Sequence, residues 1–340
     1  MVTQEQVPLQ EDGSLDVMDC HMHLAWQDCV PGEFIASSAA NVLANLRARG
    51  GSASLNTVVG RVLAQMQDSK GDALVAEMDR ARIRRGCLLV PDMTFALKRS
   101  RFTIEELLLH HRDVARRHEG RFIAFAGTDP RWGKSGLDLF ERALRDWGYG
   151  GMKLYPPCGF SPADPIVYPF YELCRAYRVP VLVHIGPTAP ALSFATSHPL
   201  MLDQPCRDFP TVNFVLGHGG SHYVEECSLL AAFRPNVYID VSGFQRVGGV
   251  ERGMGRLSEL FDRGINHKLL FGTDFPVFQD RLSDLTRGLW AESGPLSDLS
   301  SRDAALIARD NFLRLWSEPA SWADADGTDA RAPPAGSGMT

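Results

Sequence analysis

Two histidines separated by one residue, His21 and His23 in the segment DCHMH, are the first feature of this sequence that could do chemistry. Side chains at i and i+2 of a strand leave the same face, so both imidazoles enter one space if the apolar run LDVMDCHMH is a strand. Two converging neutral imidazoles suit a divalent cation. An HxH pair alone arises as readily by chance, and weight comes from the other polar residues that end apolar runs. His184 ends VPVLVHIG, His218 ends VNFVLGHGG and Asp274 ends LLFGTDFP. Three imidazoles (His21, His23, His184) and the Asp274 carboxylate would hold Zn²⁺ or a similar ion with a position left for water, whose pKa such an ion lowers to about 7. Asp274 can then accept a proton, and His218 can orient the water or stabilise a developing oxyanion. Lys153, in GGMKLYPP, has three readings: an ammonium that binds substrate, a carbamylated lysine bridging a second metal, or a lysine that snorkels from a barrel end. The other histidines fall on helices or loops, with His198 and His222 close to the same region in sequence. Cys20 and Cys158 have neighbours that place them near such a site.

Those residues must be positioned by something, and the pattern of apolar runs says what. Eight runs (LDVMDCHMH, GCLLVPD, RFIAFAGTDP, GGMKLYPP, VPVLVHIG, VNFVLGHGG, NVYIDVSG and KLLFGTDFP) stay apolar on both faces, as a parallel sheet covered by helices requires. Amphipathic stretches at 104–118, 137–147 and 169–178 separate them. The fold class expected is α/β, a (β/α)₈ TIM barrel, whose catalytic groups gather at the C-terminal ends of the strands. One barrel domain over residues 1–317 follows, with a helical insertion at 27–85 after the first strand and a flexible tail at 318–340 rich in Ala, Asp, Gly, Pro and Ser. Helical candidates in the insertion are 38–48, 56–68 and 72–85. It can serve as a lid or pocket wall, or as extra outer helix. The last helical pattern is 303–316.

With a formal charge of -6, the chain shows no basic footprint for nucleic acid or an anionic membrane. A small-molecule substrate is the expectation, with homodimerisation through exposed barrel helices. The start MVTQEQVPLQ lacks a signal-peptide pattern and no apolar run approaches a membrane span, so a cytoplasmic location is expected. Seven cysteines without CxxC pairing indicate neither a disulfide framework nor a cysteine zinc site.

Taken together, DCHMH, GMKLYPP, VLVHIG, VLGHGG and FGTDFP resemble the amidohydrolase superfamily over about residues 16–316, specifically the amidohydrolase-related branch that includes the aminocarboxymuconate semialdehyde decarboxylase-like enzymes. The resemblance implies that His21, His23, His184 and Asp274 match the mononuclear metal ligands, and that His218 matches the histidine that activates or orients metal-bound water. Members of this branch divide between hydrolases of amides or lactones and non-oxidative decarboxylases of aromatic or unsaturated acids, so fold alone does not choose the reaction. Many decarboxylases carry Glu in the first motif, whereas HMH is found in both groups. A carbamylated Lys153 would complete the set used by two-metal amidohydrolases. The first reading is therefore a metal-dependent hydrolase that cleaves an amide, cyclic amide or lactone-type bond with metal-activated water. One alternative is a decarboxylase, in which Asp274 or His218 protonates carbon and Arg47 or Arg49 of the insertion holds the acid. The other is a non-catalytic barrel acting as a binding protein.

Overall fold

A computed structural model describes residues 17–317 apart from 65, 247–248, 278–280 and 292–293, with Arg246 described in its backbone alone. The tail expected at 318–340 lies outside the described residues. The apolar runs fold as eight parallel strands: β1 (Val17–Met22), β2 (Ile83–Val90), β3 (Phe122–Ala126), β4 (Gly151–Leu154), β5 (Val181–His184), β6 (Phe214–Gly217), β7 (Val237–Asp240) and β8 (Leu269–Leu270). Each pairs with the next in sequence order. Every residue of β1 and of β4 to β8 is buried, the consequence of helices outside and packed side chains within.

The short β8 leaves closure to the segment after it. Cys20 N donates to Phe271 O at 2.9 Å, Asp274 N to His21 O at 2.8 Å and His23 N to Phe275 O at 2.8 Å. This seam between first and last strands is what carries Asp274 to His21. Alternate strand residues such as Cys87, Leu89, Phe125, Leu182 and Val215 form one interior cluster with Phe312 and Leu315 from the segment that follows the barrel. The terminal segment covers the N-terminal rim, where Trp316 Nε1 donates to Gly150 O and Asn213 Nδ2 to Leu315 O. The other rim is left for chemistry. The pattern expected at 303–316 is not one regular helix: a π-helical stretch, Leu306–Asp310, separates Ser301–Ala305 from Asn311–Arg314.

Among the described residues, three helices lie between β1 and β2: α1 (Gly32–Ala48), α2 (Leu55–Ala64) and α3 (Asp72–Arg80). Leu74 and Met78 of α3 join the main core, whereas α1 and α2 pack on each other through Ala39, Leu43 and Val58 as a separate cluster. The helix expected to run to 85 stops at Arg80 because β2 begins at Ile83, three residues before the apolar run GCLLVPD. Arg84 is exposed and Arg85 Nε bonds Gly120 O, so the strand's first turn outward carries charge and hides the strand from a hydrophobicity reading. Later in the chain, α4 (Ile104–Arg117) opens with a capping box between Thr103 and Glu106 and buries residues at three and four residue spacing, including Leu107, His111 and Val114. α5 (Lys134–Trp147) stops at Gly148, which takes the left-handed conformation at φ 77°. Among the described residues no helix is long and apolar enough to cross a membrane.

Candidate metal and catalytic site

The polar residues expected at strand ends all stand at the C-terminal rim. His21 is the penultimate residue of β1 and His23 follows the strand; Lys153 lies in β4, His184 ends β5, and His218 follows β6. The two first-motif rings converge, with centroids 5.3 Å apart, although not by simple alternation. β1 shifts register between Asp19 and Met22 and ends before His23, so an irregular backbone, pinned by the Phe275 bond, aims the pair.

The side chains meet. Asp274 Oδ1 lies 3.3 Å from His23 Nε2 and 3.6 Å from His21 Nε2, and Lys153 Nζ is 3.4 Å from His21 Nε2. The His218 ring centroid is 4.4 Å from that of His21 and 4.8 Å from that of His184. One potential ligand atom from each of His21, His218 and Asp274 falls within 4.8 Å of the others, and all three residues are buried. These donors fit a divalent cation: neutral imidazoles and a carboxylate, withdrawn from water and already facing one another. The tightest grouping includes His218, which the sequence reading set outside the ligands. His184 Nε2 is engaged by Pro187 O at 3.2 Å.

Two of these residues sit in an uncommon backbone region. His218 and Asp274 have φ of 65° and 58°, left-handed values that cost a non-glycine residue roughly 1 kcal/mol or more. Hydrogen bonds hold them there, from His218 N to Asp240 Oδ2 at 3.2 Å and from Asp274 N to His21 O.

Beneath the rim lies a layer that the sequence reading did not single out. Asp240 Oδ2 accepts from His21 Nδ1 at 2.5 Å and from Ser242 Oγ at 2.7 Å, while its Oδ1 accepts from Ser242 N. With that proton on Nδ1, His21 turns the lone pair of Nε2 towards the other donors. Ser242 Oγ lies 2.8 Å from His218 Nδ1; since it donates to Asp240, it accepts from His218, which fixes the second ring in the same sense. Asp19 accepts from His21 N at 2.8 Å and from Thr273 Oγ1 at 2.7 Å, tying the first motif to the last. The signals were present, an Asp within NVYIDVSG and another opening DCHMH, but a carboxylate's partner 219 residues away is invisible in one dimension.

Burial dominates the electrostatics. It pushes the His21, His184 and His218 imidazoles well below their ordinary range, with nearby positive groups, Lys153 among them, acting in the same direction. All three therefore remain neutral and able to ligate. Burial lowers the Lys153 ammonium to about 8 against the opposing pull of Asp274 and Asp240, and raises the Asp19 carboxyl to about 8 despite the Thr273 bond.

The site is the polar end of a cavity of about 460 Å³. Its walls are mostly apolar: α1 and α2 contribute Phe34, Ile35, Val42 and Val62, with Ser38 and Asn41 of α1 beside them. The helices after β1 thus wall the pocket. Arg47 and Arg49, expected there to hold an acid, are exposed and do not line it, because they fall at the end of α1 on its solvent side. His222 and Cys29 line the cavity; His198, Cys20 and Cys158 do not. All seven cysteines are free.

A family model described as Amidohydrolase matches residues 18–317. A 2-keto-4-carboxy-3-hexenedioate hydratase from Sphingobium sp. is 25% identical over 170 residues, 41% of this chain and 48% of that protein, so the chain spans about half the length of this curated relative. Among solved structures, an uncharacterized TIM-barrel protein from Bordetella bronchiseptica is 19% identical, with 88% of this chain and 98% of that one covered at a TM-score of 0.62. A 5-carboxyvanillate decarboxylase from Novosphingobium aromaticivorans with bound manganese is 13% identical, with 90% and 98% covered at 0.61. A 2,6-dihydroxybenzoate decarboxylase from Rhizobium is 16% identical, with 88% and 97% covered at 0.57. At such identities the solved structures speak for the barrel, while the family match extends over nearly the whole described chain and every strand-end motif. On that ground the chain belongs to the amidohydrolase family.

Proposed function

We propose that this protein is a metal-dependent lyase that removes carbon dioxide from a small aromatic or unsaturated carboxylic acid. The observation that carries this reading is the cavity itself: an apolar chamber whose polar end gathers four histidines, Asp274 and Lys153. In this reading His21, His23, His184 and Asp274 hold a divalent ion, manganese or zinc, beside His218. When bound, that ion supplies positive charge for the anionic groups of the substrate.

The residues do the rest. Lys153, buried against His21, attracts the carboxylate into low-dielectric surroundings, where Coulombic attraction is strengthened. Apolar walls replace water around the carboxylate and favour the charge-dispersed transition state over the localised anion. The bond between the ring or alkene carbon and the carboxyl carbon breaks, its electron pair stays on the former, and carbon dioxide leaves. A proton takes its place on that carbon: His218, neutral with its own proton on Nδ1, or the Asp274 carboxylate first draws one from solvent and then passes it to the carbon. Support also comes from two solved relatives that are decarboxylases of aromatic acids, one of them with bound manganese. Hydrolysis of an amide or lactone, the first reading from sequence, needs the same ion and gains no separate support from the cavity.

The test is incubation of the manganese-loaded protein in heavy water with carboxyl-labelled hydroxybenzoates and unsaturated acids. Labelled carbon dioxide, with one deuterium gained per product molecule, is the expected result. Cleavage of amides or lactones with no carbon dioxide from any acid overturns the proposal.

A further inference from the structure

Building on that reading, and specifically on a carboxylate seated at the histidine end, we infer that the cavity selects a monocarboxylic acid with an extended apolar body and rejects dicarboxylic acids. The charge inventory is the first observation. Among the described residues that line the cavity, Lys153 is the only lysine or arginine, and it stands 3.4 Å from His21 at the polar end. A second carboxylate on the same molecule, further along the chamber, would meet no cation among those side chains. Burying an unpaired anion is among the costliest contacts a protein can make.

The walls are the second observation. Phe34, Ile35 and Val42 from α1, Val62 from α2, and Met66 and Met93 present hydrocarbon and thioether surface. Of the polar groups along the walls, Tyr155 Oη lies 2.6 Å from Thr188 Oγ1 and His111 Nδ1 bonds Leu107 O at 2.7 Å, while the neutral Ser38 and Asn41 of α1 bring no positive charge. A volume of about 460 Å³ is within the range that holds a body larger than a single ring. The helices between β1 and β2 are thereby the specificity element, and the rim residues are the reaction element.

Calorimetric titration of the manganese-loaded full chain with benzoate, 4-butylbenzoate and benzene-1,4-dicarboxylate tests this, because the three share one ring and differ only at the far end. The butyl compound should bind at least about tenfold more tightly than benzoate, since each buried methylene contributes favourably, and the dicarboxylate should bind more weakly than benzoate. Val42 is 51% exposed, so Val42→Lys should fold normally, which far-UV circular dichroism checks, and raise the affinity for the dicarboxylate several-fold relative to that for 4-butylbenzoate. Dicarboxylate binding equal to or tighter than that of 4-butylbenzoate overturns the inference, as does a failure of both to bind. Selective binding of 4-butylbenzoate without carbon dioxide release from any acid sinks the decarboxylase reading and leaves this one standing; preferential decarboxylation of diacids does the opposite.

Discussion

The imidazole of His21 depends on a carboxylate that never reaches the cavity. Asp240 holds Nδ1 at 2.5 Å, and both side chains are fully buried, so rotation of the ring would take Nδ1–H away from its charged acceptor. The energetic role of Asp240 is orientation: it selects the tautomer and fixes the direction of Nε2. In Asp240→Asn the amide can still accept from Ser242 or His218, but it gives up the negative charge that favours a proton on His21 Nδ1. Manganese affinity is expected to fall about 10- to 100-fold, with far-UV circular dichroism unchanged. Undiminished affinity, measured by metal titration, would refute the role assigned to Asp240.

The elements of this barrel divide into two packing units with different duties. Strands and outer helices share the large core, whereas α1 and α2 rely mainly on the small cluster of Ala39, Leu43 and Val58, with Phe34 of α1 alone of its buried-side residues packed against the large core. A unit with so little buried apolar surface opens at lower free energy than the barrel does. Leu43→Ala should remove about 2–4 kcal/mol from that cluster and accelerate amide hydrogen exchange in Gly32–Ala48 and Leu55–Ala64, while exchange in β4 to β6 keeps its rate. Slowing or no change in α1 and α2 would show that they are fixed by something other than this cluster.

For the molecule as a whole, buried neutral histidines make stability depend on acid. His111, in the core between α4 and the cavity, is lowered by burial from 6.5 to about 4. Between those values the unfolded chain takes up a proton that the folded chain refuses. Stability is therefore complete above about pH 6.5 and drains as pH falls towards 4, by about 3 kcal/mol from this residue. The depressed imidazoles of His21, His184 and His218 act in the same direction. Urea midpoints of the metal-free protein should decline through that window, and His111→Leu should make the decline shallower. A flat profile from pH 6.5 to 4 would contradict the burial seen for these rings.

What the linear chain determined was its periodicity and its endings. Runs apolar on both faces are what strands covered on both sides require, and a barrel brings strand ends to one rim, so His21, His184 and His218 were legible as neighbours from their positions at the ends of such runs. Three things were settled only in the fold. β2 begins at Ile83, inside a charged stretch that reads as helix, because pairing with β1 outweighs local propensity. The pairing of Asp240 with His21 joins residues on β7 and β1, a distance set by barrel closure and not by spacing. Arg47 and Arg49 face solvent while Phe34, Ile35 and Val42 face the cavity, since the rotation of α1 is decided by what it packs against. Local sequence carries which residues want to be buried; which of them meet depends on contacts between segments far apart along the chain, and those exist only once the sheet has closed.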